Sequence, residues 1–289
     1  MRPTGTTIGP GMLEYDFMQN AFAAASLVSI VSGLVGYFLV LRGQTFAAHA
    51  LAHVGFTGAT GAVLIGIAPL WGLTLMTVAA GVGMGLLGEQ LAHRDVAVGI
   101  VLALSLGFGL LFLHFFTAYA GQVTALLFGN VLAVEGGTVW TLLWLSILTV
   151  GSLGLISRPL LFASLQPELA EAKGVSLRLN SVMFLAIVAI AVSECTQVVG
   201  VLLIFTLMVG PAATAQRLTT GAAKGLVLAA GLALVHAWSG IALAFYTDWP
   251  CSFWITVLSA GTYLIVVGLR TAILQVESWR TGRSMIGSI

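Results

Sequence analysis

His49 and His53 stand four residues apart in the segment FAAHALAHVGFTGATG, residues 46–61, where almost every other side chain is apolar or small. Residues at this spacing share one face of a helix, so both imidazoles can reach a single point. Imidazole nitrogen is a good ligand for zinc and other late first-row divalent ions, which makes the pair a candidate metal site. Hydrogen bonding between packed helices is the other use for such a pair. Peptidase chemistry is not supported, because H-E-x-x-H places a glutamate general base after the first histidine and Ala50 occupies that place. No catalytic residue is expected anywhere in the chain.

The other ionisable side chains within apolar stretches are few. His236 lies about 18 Å along a helix from Lys224, a depth comparable to that of the pair, and is a candidate third ligand. Glu194, in SECTQ, falls near an expected span break and is a candidate helper, or else a solvated turn residue. His114 is placed near an outer span end, and His93, beside Arg94 and Asp95, in an inner loop.

The elements that must position these groups follow from composition. Of 289 residues 59% are hydrophobic and only 7% charged, with a mean hydropathy of +1.06, far from the roughly 25% charged residues of a soluble domain. The expected fold class is an all-α polytopic membrane protein. Spans are proposed at about 17–41, 45–68, 70–88, 96–118, 138–156, 181–195, 198–216, 225–246 and 252–269, each near the ~20 residues needed to cross the hydrocarbon core. SECTQ is expected to interrupt the helix between the sixth and seventh, so eight full spans or nine are both admitted.

With the N-terminus outside, ten of the eleven basic residues fall on the inner side, from Arg42 to Arg283, leaving Arg2 outside. That asymmetry sets the orientation, with a cytoplasmic C-terminus. The expected organisation is an outer tail at 1–16, a transmembrane domain at 17–270 and a cytoplasmic tail at 271–289. The start of the chain lacks the pattern of a cleaved secretory signal. No basic run suggests nucleic acid. From Arg42 at the inner boundary, His49 and His53 lie about 10 and 16 Å into the bilayer. An ionisable group at that depth is costly unless it faces a cavity or finds a partner.

Glycines at Gly55, Gly58, Gly61, Gly81 and Gly85 are expected to let helices approach closely. The longest inner segment, SRPLLFASLQPELAEAKGVSLRLN at 157–180, should carry a short helix opened by Pro167 and closed by Gly174, with Glu168 and Glu171 suited to its N-terminal end. It is either an amphipathic connector or a docking element for a cytoplasmic partner. Cys195 and Cys251 form no C-x-x-C motif and are expected as small buried hydrophobes; both fall at outer span ends, where a disulfide is conceivable.

The only lysines, Lys173 and Lys224, are each followed by glycine, so the chain holds no G-x-x-x-x-G-K-[ST] phosphate loop. ATP-driven work would have to come from another subunit.

TFAAHALAHVGFTGATGAVLIG, LLFGNVLAV, LQPELAEAKGVS and QVVGVLLIFTLMVGPAATAQRL together resemble the membrane permease subunits of ABC importers for zinc, manganese and related divalent metals, over about residues 17–270. The resemblance implies a type II importer-like permease without an ATPase site of its own, in the bacterial cytoplasmic membrane. It implies a second permease copy, cytoplasmic ATPase subunits and an extracytoplasmic metal-binding protein as partners, with a transported zinc or manganese ion rather than a permanent cofactor. It also implies that 158–180 touches the ATPase, through Gln166, Pro167, Glu168, Ala170, Ala172 and Gly174. The family's second span usually reads D-A-L-S-H, whose Asp and His places match His49 and His53 here. Nitrogen in place of a carboxylate shifts preference away from manganese, so zinc is expected first. The outer loop reads YTDWPCSFW, keeping Tyr246, Asp248 and Pro250 of the family's Y-x-x-D-x-P-S-G-P but not its small residues. A metal chelate or vitamin as cargo, and a gradient-driven transporter working without an ATPase, are the alternatives.

Overall fold

The computed structural model describes residues 12–87, 94–115, 127, 129, 131–201 and 203–286, and among them the regular structure is helical throughout. Ten α-helices follow in order: α1 (Asp16–Leu41), α2 (Thr45–Leu64), α3 (Pro69–Leu87), α4 (Arg94–His114), α5 (Gly136–Leu165), α6 (Pro167–Ala172), α7 (Leu177–Val199), α8 (Ile204–Leu218), α9 (Ala222–Thr247) and α10 (Cys251–Ile286). Six of them, α1, α3, α5, α7, α9 and α10, are long and apolar enough to cross a membrane. The expected eight or nine crossings are thus not all reached on length and composition. In α2 the histidines, threonines and glycines dilute the apolar residues, and α8 has 15 residues. Helix α10 continues past residue 270, where a tail was expected, as far as Ile286.

Helix α7 is the most enclosed column, packed against α1, α2, α3, α5 and α8. The expected interruption at SECTQ does not occur, because α7 runs unbroken through it. The first three residues of SECTQ each find a partner on a different neighbour, and Thr196 donates back to the Val192 carbonyl. Ser193 Oγ meets Thr77 Oγ1 of α3 at 2.8 Å, the Glu194 carboxylate accepts from Ser146 and Thr149 of α5 at 2.9 and 2.7 Å, and Cys195 Sγ meets Ser32 Oγ of α1 at 2.9 Å. With those bonds made the polar side chains of Ser193, Glu194 and Cys195 are satisfied inside the bundle, and helix is the cheapest way to satisfy the backbone in an apolar setting. The break falls instead at Gly200, whose φ of 88° suits glycine.

Close approach explains the glycines of α2 and α3. A Cβ on Gly58 would overlap the Gly72 carbonyl oxygen, and a Cβ on Gly72 would overlap that of Gly58. The two backbones touch directly, the contact that holds helices together where lipid competes for every larger apolar side chain.

The inner segment also differs from expectation. Helix α5 does not end near residue 156 but continues through Pro159 to Leu165. Leu160 is fully buried and Ala163 nearly so, and that packing outweighs the hydrogen bond proline removes. Pro167 then opens α6 in its first turn, and Gly174 takes φ 81° just beyond it. Ala170 is fully buried, while Glu168, Leu169, Glu171 and Ala172 are exposed.

One end of the bundle collects the ends of α1, α5 and α8 and the starts of α7 and α9. There Arg42 reaches Ser164, Gln216 Nε2 donates to the Tyr37 carbonyl at 2.8 Å, and Gly225 lies against the Tyr37 ring. At the other end a cavity of about 980 Å³ opens between the α2–α3 turn, the start of α5 and the end of α7, with Glu135, Thr138, Thr141, Thr196 and Gln197 in its wall.

Candidate metal-binding site

The side chains of α2 divide into a covered majority and one thin exposed stripe. Ala47, Ala48, Ala50, Leu51 and Ala52 are buried, whereas Phe46 is 41% exposed and His49 and His53 are half-buried. Positions 46, 49 and 53 follow the i, i+3, i+7 pattern of a single helix face. Beyond them α2 is sealed by α3 and α4, with Thr57 Oγ1, one turn past His53, donating to the Ser105 carbonyl of α4 at 2.5 Å.

The two imidazoles are direct neighbours. Their ring centroids lie 4.8 Å apart with planes at 82°. Phe46 stands 6.5 Å from the His49 ring on one side, and Phe205, from the first turn of α8, stands 6.0 Å from it on another. Nδ1 of His49 and Nδ1 of His53 are both buried and have no hydrogen-bond partner. A buried ring nitrogen without a partner carries a desolvation cost that a hydrogen bond or a ligand would remove. Two such nitrogens side by side can supply half of a tetrahedral coordination shell and leave the rest open, as transient binding requires.

The other candidates do not join the pair. His236 is buried in α9 and faces α10, its Nε2 3.1 Å from Thr262 Oγ1. That hydroxyl already donates to the Leu258 carbonyl, so Nε2 carries the proton and donates to Thr262; Nδ1 is left as a buried acceptor without a partner. Glu194 is fully buried between α5 and α7 on its two hydroxyl donors. Among the described residues no group of three or more His, Cys, Asp or Glu side chains is close enough to hold an ion. Cys195 and Cys251 are free thiols. His93 lies outside the described residues.

Sequence reasoning missed Phe46 and Phe205 as walls of the pair, and Ser146 and Thr149 as the partners of Glu194. The last two were findable. Polar residues three apart on an otherwise apolar span announce a buried partner on a neighbouring helix.

A bundle in which six helices are long and apolar enough to cross a membrane defines the chain as a polytopic membrane protein. More narrowly, the chain belongs to the ABC 3 transport family, whose model matches residues 14–270. It is 31% identical over 259 residues to a protein of Treponema pallidum named "Probable metal transport system membrane protein", covering 89% of this chain and 97% of that one. It is 28% identical over 236 residues to the manganese transport system membrane protein MntC of Listeria monocytogenes, covering 81% of this chain and 84% of that one. In fold it is similar to a chain of PsaBC from Streptococcus pneumoniae, solved in complex with Fab, with a TM-score of 0.79, 23% identity and coverage of 89% of this chain and 92% of that one.

Proposed function

We propose that this chain is the permease subunit of an ATP-driven importer that carries a divalent transition metal inward across the cytoplasmic membrane, zinc first and manganese second. The observation that carries the reading is the part-exposed stripe of α2, where two neighbouring imidazoles lie with buried, unpartnered Nδ1 atoms. Such a stripe is unfavourable against lipid and favourable against a wet passage. A second copy of the chain facing this stripe would close the passage and complete the ligand set. Nitrogen donors favour zinc, while the names of relatives such as MntC keep manganese as the second cargo.

The remaining parts follow the same reading. Gathering of Arg42, Arg217 and Lys224 at one end of the bundle supports that end as cytoplasmic, with the N-terminus and the 980 Å³ cavity outside. Helix α6, exposed there on its Glu168, Leu169, Glu171 and Ala172 side chains, is the contact for a separate ATPase subunit, and an extracytoplasmic binding protein delivers the ion. The decisive experiment is uptake of radioactive zinc and manganese by the assembled transporter carrying His53→Ala or His49→Ala. Loss of uptake with assembly intact is expected. Undiminished uptake at limiting metal would remove the site.

A further inference from the structure

Arg42 caps α1 at the start of a three-residue turn, and the helix that follows this turn carries the histidines. The turn is tightly made: Arg42 N–H bonds to the Phe38 carbonyl at 2.9 Å, Gly43 takes φ 63°, and Gln44 N–H bonds to the Leu39 carbonyl at 2.9 Å. His49 is seven residues on, the fifth residue of α2 and about 6 Å along it. With so short and ordered a link, a shift of Arg42 moves the base of the histidine helix.

The Arg42 guanidinium makes a hydrogen bond and a ring contact that cross to other helices. Nη1 donates to Ser164 Oγ at 3.1 Å, and the guanidinium carbon lies 5.5 Å from the centroid of the Phe184 ring of α7. Ser164 gives its own proton to the Leu160 carbonyl, which leaves its lone pairs for Arg42. It stands one residue before the end of α5 and three before Pro167, where α6 begins. Helix α6 is in turn fastened to α5, because Ala170 is fully buried and the Lys173 ammonium lies 5.8 Å from the Phe162 ring centroid.

We propose that the Arg42–Ser164 hydrogen bond is the mechanical tie between α6 and the histidine helix, so that movement of α6 is passed through the last turn of α5 to the α1–α2 turn and thence to His49 and His53. Arg42 is a positioning residue in this scheme and touches no ion. The inference rests on the reading of α6 as the ATPase contact. A donor fork suits the role, since a guanidinium can hold Ser164 and the Phe184 face together, whereas an ammonium would keep the charge but not the planar geometry.

The test measures zinc ion uptake per ATP hydrolysed by the transporter assembled with its ATPase and delivery protein, in Arg42→Ala, Ser164→Ala, Arg42→Lys and the Arg42→Ala/Ser164→Ala double variant. Each alanine variant should lower uptake per ATP by about fivefold or more, with basal hydrolysis and assembly unchanged. The double variant should be no worse than the worse single one, because both remove the same bond. Lysine should restore part of the loss. Losses that multiply in the double variant, or normal uptake per ATP in Ser164→Ala, which removes one hydroxyl and leaves the Phe184 contact, would overturn the tie. Normal uptake in His53→Ala would instead overturn the site reading, so the two failures are told apart.

Discussion

His49 and His53 present their rings to each other edge to face, 4.8 Å between centroids, on a part-exposed stripe of α2. The ring planes stand at 82° to each other, and each ring has one nitrogen, Nδ1, buried. The rings can each aim one nitrogen at a third point beside them, and neither Nδ1 has another partner. On the proposed reading, two nitrogens set the ligand chemistry at that point, and ion selectivity should follow from them.

Replacing one nitrogen by a carboxylate therefore changes which ion is preferred. His49→Asp should move the ratio of manganese to zinc uptake by about tenfold toward manganese, with total transport retained. Competition uptake with both ions at equal concentration reads that ratio directly. An unchanged ratio would separate selectivity from position 49.

The carboxylate of Glu194 is buried and satisfied by only two hydroxyl groups. Thr149→Val keeps the shape and removes one donor, and should destabilise the chain by about 1–3 kcal/mol. Glu194→Gln, which is neutral, keeps one accepting oxygen and turns its amide N–H toward the oxygen of the other hydroxyl, should cost less. Thermal unfolding of the purified permease in detergent ranks the two.

At the α2–α3 contact, Gly58 and Gly72 leave no space for a methyl group. Gly58→Val should force the helices apart and destabilise the chain by about 1–3 kcal/mol or more, displacing the histidine helix as well. A substitution at Gly83, where nothing lies within 4 Å of the Cβ position, serves as the control and should be tolerated. The readout is the yield of folded monodisperse protein together with its melting temperature.

Cys195 is fully buried against Ser32, and Cys251 heads α10 with its thiol free. Two thiols should react per chain in denaturant without reductant. In the folded protein Cys195 should be unreactive, because reagents have no route to it. Fewer than two after denaturation would show that the thiols pair.

The sequence made the helical membrane fold legible because extreme apolarity leaves few alternatives, and its four-residue spacing was enough to set the two histidine rings side by side. The course of α7 through SECTQ was not legible. Ser193, Glu194 and Cys195 read as a polar interruption only while their partners are unknown, and Thr77, Ser146, Thr149 and Ser32 are distant in sequence. His236 failed as a neighbour of the pair for a related reason. Depth along a helix can be counted from the chain, but the direction a helix faces depends on its packing partners, and α9 turns this residue toward Thr262.

Three successive residues on α7 grip three different helices, each about 100° around the axis from the last. Twisting α7 in place would undo all these grips together, so it is locked against rotation and travels in step with α1, α3 and α5. Helix α8 and its Phe205 stand outside this block, joined to α7 through the turn at Gly200.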